Sequence, residues 1–176
     1  DEIVEDAKKL IDAGTAEINL IAQDLGSFGA DRGKRELPNL LEKILALPGK
    51  YWLRLLYIHP DRFPRELFEL CGQDARLLPY FDLPVQHGSR RILQQMGRTG
   101  DAATYLALIE EIRANLPDAV IRSTFLLGFP GESREDFAEL RAFQEKAAFD
   151  WLGAFAYSRE EGTRAYSIGA LPGITH

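Results

Sequence analysis

The stretch Val120–Leu127 (VIRSTFLL), followed by Gly128–Glu132 (GFPGE) and the run from Ser133 to Ala147 (SREDFAELRAFQEKA), decides the fold. The first segment is rich in β-branched and aliphatic side chains and predicts a buried strand. The glycine- and proline-rich segment after it cannot extend a strand and predicts a loop. Ser133, with Asp136 three positions later, has the form of a capping box and predicts a helix running to Ala147. Trp151–Tyr157 (WLGAFAY) then predicts another strand. Strand, loop, helix and strand together form the repeating unit of a parallel sheet with right-handed crossovers.

The same unit recurs toward the N-terminus. Ile3, Val4, Ala7, Leu10 and Ile11 have helical spacing, and Gly14 can close that helix as a left-handed cap. Glu17–Ala22 (EINLIA) predicts a strand with Gln23 and Asp24 as its polar tip. Pro38 suits the first turn of a helix whose Leu40, Leu41, Ile44 and Leu45 face inward, with Pro48 and Gly49 ending it. Trp52–Ile58 (WLRLLYI) predicts a strand ending at His59 and Pro60, with a short helix over Arg65–Cys71. Tyr80–Val85 (YFDLPV) predicts the next strand, Pro84 lying near its end, and Gln86, His87 and Gly88 its loop. Ser89 can cap a short helix through Met96, and Asp101 a longer one that Pro117 ends. About five strands alternating with helices predict an α/β fold, a partial (open) TIM-like barrel of parallel strands with outer helices. Residues 1–158 are expected to form the barrel and 159–176 a tail.

At 176 residues and 45% hydrophobic composition the chain can bury one core. Lys and Arg total 21 against 27 Asp and Glu, a formal charge of -6, so strong nucleic-acid binding is not indicated. No apolar run approaches the roughly 20 residues of a membrane span, and no leader pattern opens the chain, which predicts a cytoplasmic protein without a membrane anchor. Cys71 is the only cysteine, so neither a disulfide nor a thiolate cluster can be assembled from this chain alone. Asp1 and Glu2 lead directly into a helical pattern, which suggests a piece of a longer protein.

In a parallel barrel the chemistry sits at the carboxyl ends of the strands. The polar tips there are Gln23 and Asp24, His59, Gln86 and His87, Gly128–Glu132, and Ser158 with Arg159. The glycines of GFPGE would let a ligand approach backbone N–H groups near a helix N-terminus, although the same residues also build an ordinary tight turn. Strand alternation puts Arg122, Thr124 and Leu126 on one face, where the arginine needs an anionic partner from a ligand or from the protein. Gln86 and His87 lack a third residue at zinc spacing, and His87 reads as a satisfied structural histidine. His59 reads as a turn residue, and Cys71 as a buried small hydrophobe. There is no HExxH, no GxGxxG and no Ser-His-Asp order, so the residues alone stop at a barrel-like ligand-binding unit.

Five stretches together resemble the radical S-adenosylmethionine (radical SAM) methylthiotransferase family: EINLIAQD, LRLLYIHP, DLPVQHGSRRILQQMGR, IRSTFLLGFPGES and FAYSREEGT. The resemblance runs from about Ile3 to Gly169. QH after DLPV, with RSTF and FDWLGAF, is similar to the branch that modifies a ribosomal protein; the tRNA-modifying branch more often has QSGS and STDI. The resemblance implies transfer of a methylthio group to the β-carbon of an aspartate in the twelfth small-subunit ribosomal protein, the expected partner. It implies S-adenosylmethionine as methyl donor and radical source, and a [4Fe-4S] cluster held by a CxxxCxxC loop. In the family that loop follows the first barrel strand, just before the helix with which this chain opens, and it is missing here. Also missing are the N-terminal domain with a second cluster and the C-terminal TRAM domain, so the chain by itself is expected to be inactive.

Carried over onto this sequence, Gln23 and Asp24 match the tip near the methionine amino group, and Gln86 matches a tip facing the ligand. Leu126, Gly128 and the loop through Glu132 match the adenine side, and Arg122 is the candidate carboxylate partner. Phe155 and Tyr157 are expected to line the barrel or the adenine pocket, or more simply to pack in the core. The alternatives are a tRNA-adenosine methylthiotransferase barrel and a barrel relative that serves as a non-catalytic scaffold.

Overall fold

The computed structural model describes residues 2–168. Strands β1 (Glu17–Ile21), β2 (Trp52–Leu56), β3 (Leu77–Asp82), β4 (Val120–Leu127) and β5 (Trp151–Ala156) lie in chain order in one sheet. Every neighbouring pair is parallel. Helices α1 (Glu2–Asp12), α2 (Leu37–Leu45), α3 (Glu66–Gln73), α4 (Arg90–Gln95), α5 (Ala102–Asn115) and α6 (Arg134–Ala147) lie before, between and outside them. Because the strand order never reverses there is no switch point, and because β1 and β5 do not pair the sheet stays open. This is the expected unclosed barrel.

One face of the sheet is packed by helices. Leu53, Leu55, Leu77, Phe81 and Ile121 are fully buried there, in one cluster with Leu41, Ile44, Leu67, Ile112 and Leu140 of the helices. Each such side chain contributes about 1.5–3 kcal/mol by leaving water. The Phe63 and Phe81 rings meet edge to face at 5.2 Å, and Phe125 meets Phe149 likewise at 6.0 Å.

Local signals place the helix ends where the sequence predicts. Gly14 adopts φ +82°, and the next N–H, that of Thr15, donates back to the Leu10 carbonyl at 3.0 Å. The capping box of α6 is complete: the Asp136 N–H donates to Ser133 Oγ at 3.2 Å and the Ser133 N–H to Asp136 Oδ2 at 2.8 Å. Asp101 Oδ1 accepts from the Thr104 N–H at 2.9 Å.

Three features depart from expectation. β2 stops at Leu56 because Tyr57 turns left-handed at φ +62°, which seats Ile58 in the core where alternation alone would have put Tyr57. β3 starts at Leu77 and ends at Asp82, before Pro84, and pairing with β4 resumes only at a single bridge between Gln86 and Phe125. Ser89 stands at the N-cap of α4 without capping it; its hydroxyl donates instead to Asp136 Oδ1 at 2.6 Å. Of the expected tail 159–176, the described part forms a 3-10 turn over Arg164–Ile168, with the Arg159 guanidinium 4.1 Å above the Tyr166 ring; residues 169–176 lie outside the described residues. Among the described residues no helix is long and apolar enough to cross a membrane.

Candidate functional site

The open face of the sheet carries the alternate residues of each strand. Near the amino ends, Arg54 grips Glu17 through Nε at 2.7 Å and Nη2 at 3.2 Å, and its guanidinium lies 4.5 Å above the Tyr80 ring. One step toward the carboxyl ends, Arg122 Nη1 donates to Asp82 Oδ2 at 2.9 Å. Burial pushes the Asp82 carboxyl above its ordinary range, against the pull of Arg122 and of the Tyr57 N–H beside it. The anionic partner that Arg122 requires is therefore a protein carboxylate. Asp82 takes one of the five guanidinium donors, and the Arg122 side chain remains 34% exposed. Above this pair stand Thr124 opposite Gly153 and Leu126 opposite Phe155. Phe155 is 60% exposed, so its expected core role does not hold, whereas Tyr157 packs edge to face on Phe129 at 5.6 Å.

The strand tips differ in how fully their polar groups are used. Asp24 Oδ1 accepts from the N–H groups of Gly26 at 3.0 Å and His59 at 2.9 Å. Its Oδ2 accepts from Ser27 Oγ at 2.5 Å and Arg62 Nε at 2.6 Å. Burial works against the charge, but these donors, Arg62 foremost, hold the carboxyl below its ordinary range. With all four acceptor positions filled, Asp24 braces the β1 tip against the β2 tip, and Gln23 beside it is the exposed member of the pair. His59 is the expected turn residue, its Nδ1 accepting from the Asp61 N–H at 3.2 Å.

At the β4 tip the GFPGE loop closes on itself. Gly131 adopts φ +89° and the Glu132 N–H donates to the Phe129 carbonyl at 2.9 Å, a tight turn. Glu132 Oε2 then accepts from the Gly128 N–H at 2.7 Å and the Phe129 N–H at 3.2 Å. Of the two readings of this segment the tight turn is present, and the Gly128 and Phe129 N–H groups that a ligand was expected to approach are taken by a carboxylate of the same loop. The outer side of Gly128 is open, since a side chain there would meet nothing within 4 Å.

At the β3 tip Gln86 adopts φ +72°, its N–H donating to the Thr124 carbonyl at 2.9 Å and its carbonyl accepting from the Leu126 N–H at 2.8 Å. His87 behind it is fully buried. Its Nδ1 accepts from the Ser89 N–H at 2.9 Å, while Nε2 has no hydrogen-bond partner among the described residues and faces Glu132 Oε2 at 3.7 Å. The expected satisfied histidine is satisfied on one nitrogen only. Burial pushes its pKa down to about 4, so the ring is neutral.

Sequence reasoning missed Asp82 and Tyr57. Asp82 pairs with Arg122 only in the β3 register that begins at Leu77, and nothing local in WLRLLYI signals a left-handed tyrosine. It also missed that Asp136, read as a cap, takes Ser89 and Arg91 as well. Those donors outweigh its burial and hold its carboxyl far below the ordinary range.

Parallel strands in chain order around an open face, with polar tips at their carboxyl ends, define a barrel-type α/β protein, and residues 1–143 match the radical SAM superfamily, to which this chain belongs. Among similar curated proteins, the ribosomal protein uS12 methylthiotransferase RimO of Thermotoga maritima is 43% identical over 169 residues, 96% of this chain and 39% of the relative. The proteins of that name from Aquifex aeolicus and Thermosipho africanus are 45% identical over 170 and 176 residues. The chain spans about two fifths of the length of these relatives. Two solved structures share the fold. The radical S-adenosylmethionine methyltransferase TsrM of Kitasatospora setae superposes with TM-score 0.69 at 18% identity, covering 90% of this chain and 31% of that one. Coproporphyrinogen III oxidase (HemN) of Escherichia coli gives 0.58 at 14%, covering 90% and 38%.

Proposed function

We propose that this chain is the S-adenosylmethionine side of a methylthiotransferase that modifies the β-carbon of an aspartate in ribosomal protein uS12. The observation that carries the reading is the 43–45% identity, over 96–99% of the chain, to relatives named ribosomal protein uS12 methylthiotransferase; the aspartate β-carbon is what the family resemblance implies. The QH pair at the β3 tip agrees with it. The net charge of -6 favours a protein partner over nucleic acid, and the cytoplasm is the proposed setting.

An iron-sulfur cluster is held by cysteine thiolates. Here Cys71 is the one cysteine, burial pushes its thiol up to about 12, and among the described residues no group of His, Cys, Asp and Glu is placed to hold a metal. The chain does not fit the cluster, whose ligands we assign to sequence outside these 176 residues. Residues 1–158 are proposed as barrel and 159–176 as the lead toward a further domain.

The open face does fit S-adenosylmethionine, because it joins apolar surface at Leu126 and Phe155 to amides and a guanidinium at Gln23, Gln86 and Arg122. When bound, S-adenosylmethionine supplies the methyl group and the sulfonium whose reductive cleavage starts radical chemistry. The side chains of Gln23 and Gln86 and the outer edge of Arg122 hold the amino-acid end. Leu126 and Phe155 give the adenine an apolar seat, and the open side of Gly128 lets the ring approach the backbone. Asp24 and Glu132 act from behind, fixing the β1 tip and the β4 loop.

The test is an anaerobically reconstituted longer protein carrying a CxxxCxxC loop. It is expected to bind iron and sulfide and to release 5'-deoxyadenosine from S-adenosylmethionine, and Gln86→Ala is expected to weaken that release. A longer protein that takes up no iron would overturn the reading.

A further inference from the structure

The segment DLPVQHGS joins two ligand-facing tips in a way its residue types do not announce. Among the described residues Gln86 is one of three non-glycine residues with positive φ, a conformation that costs an L-residue about 1–2 kcal/mol. Its backbone is pinned on both sides, to Thr124 and Leu126 of β4. Immediately after it, His87 fills a fully buried socket. Because Nδ1 accepts from the Ser89 N–H, the ring proton sits on Nε2, which points at the Glu132 carboxylate 3.7 Å away. That same Oε2 holds the Gly128 and Phe129 N–H groups. From the other side Ser89 Oγ donates to Asp136, which completes the capping box of α6 with Ser133. His87 is thus a buried side chain between the strained β3 tip and the loop after β4, which Arg91 of α4 also reaches from outside by donating to the Gly131 carbonyl at 2.6 Å.

We propose that His87 is a positioning residue: its buried ring holds Gln86 in the left-handed conformation, and its Nε2–H steers the Glu132 carboxylate onto the Gly128 and Phe129 N–H groups, so that the Gln86 tip and the GFPGE loop are set together. The inference deepens the reading that both tips face S-adenosylmethionine and rests on it for its effect on binding. His87 touches no reacting atom in this account. It acts through Gln86 and Glu132.

Two side chains separate packing from the polar Nε2–H contact with Glu132: His87→Leu fills the socket without a donor, and His87→Gln restores an N–H. The first measurement is nitrogen-15 NMR of this chain. His87 is expected in the Nε2–H tautomer, with a Gly128 amide resonance at low field that moves upfield in His87→Leu and in Glu132→Gln and stays in place in His87→Gln. The second is S-adenosylmethionine affinity in the cluster-loaded longer protein, expected to fall about tenfold in His87→Leu and to stay within about threefold in His87→Gln. An Nδ1–H tautomer, or a Gly128 amide indifferent to His87→Leu, overturns the proposal whatever the protein does. Affinity lost in Gln86→Ala but kept in His87→Leu overturns it as well. If the amide behaves as expected while neither Gln86→Ala nor His87→Leu alters affinity, the reading of the tips as the S-adenosylmethionine site is what fails. Should His87→Leu not fold, Glu132→Gln carries both measurements.

Discussion

On the helix side of the sheet Leu53, Leu55, Phe81, Ile121 and Phe125 are at most 4% exposed, while on the open side of the same strands Ile21, Trp52, Trp151 and Phe155 are 55–66% exposed. The open side also carries the ion pairs Glu17–Arg54 and Asp82–Arg122. One alternation writes two different surfaces. Volume and burial on the first make the fold, and charge, exposure and strain on the second mark the candidate site. Substitutions paired across the sheet should therefore differ sharply.

The largest contrast is expected between Leu55→Ala, at about 3 kcal/mol of lost stability, and Ile21→Ala, within about 0.5 kcal/mol. Urea unfolding of the two variants measures it, and equal losses would mean that the open face is a second core. Next, Arg122→Met strands the buried Asp82 carboxylate and is expected to cost about 2 kcal/mol, discounted for the partial exposure of Arg122. Asp82→Leu combined with Arg122→Met should recover most of that loss in the same unfolding assay, and failure to recover would show that the pair holds the fold as well as the site.

A similar effect comes from His87 as pH changes. The ordinary histidine value is 6.5 and the buried ring sits at about 4, so between those values the unfolded chain takes up a proton that the folded chain refuses. Stability is fully present above pH 6.5 and falls with pH toward 4; between pH 7 and 5 the loss is about 2 kcal/mol. Unfolding of wild type and His87→Gln at both values isolates it, because the variant should lack this increment. The smallest effect is a gain. Tyr57→Gly relieves the left-handed backbone of a residue that is 42% exposed and should raise stability by about 1 kcal/mol, read as a higher melting temperature.

The fold was legible because its signals are local. VIRSTFLL alternates in burial from Val120 to Leu126, and Ser133, Asp101 and Gly14 end or begin helices through their own side chains or backbone. The candidate site was legible only as a set of positions. Gln23, Gln86, Arg122 and Glu132 all lie at tips or on the open face, but what each touches depends on contacts between strands far apart in the chain. Asp24 finds Arg62, and Glu132 turns back on Gly128. Pro84 hid the β3 register, and with it the Asp82–Arg122 pair. The left-handed turns at Tyr57 and Gln86 are imposed by tertiary packing against the preferences of those residues, so no propensity could announce them.

The most direct test of the account is mass spectrometry of ribosomal protein uS12 after anaerobic incubation with the cluster-loaded longer protein, S-adenosylmethionine, a sulfur source and a reductant. The account predicts the mass gain of one methylthio group on an aspartate, strongly reduced by Gln86→Ala. An unmodified uS12, from a preparation that still cleaves S-adenosylmethionine, would contradict it and send the same barrel to a different substrate.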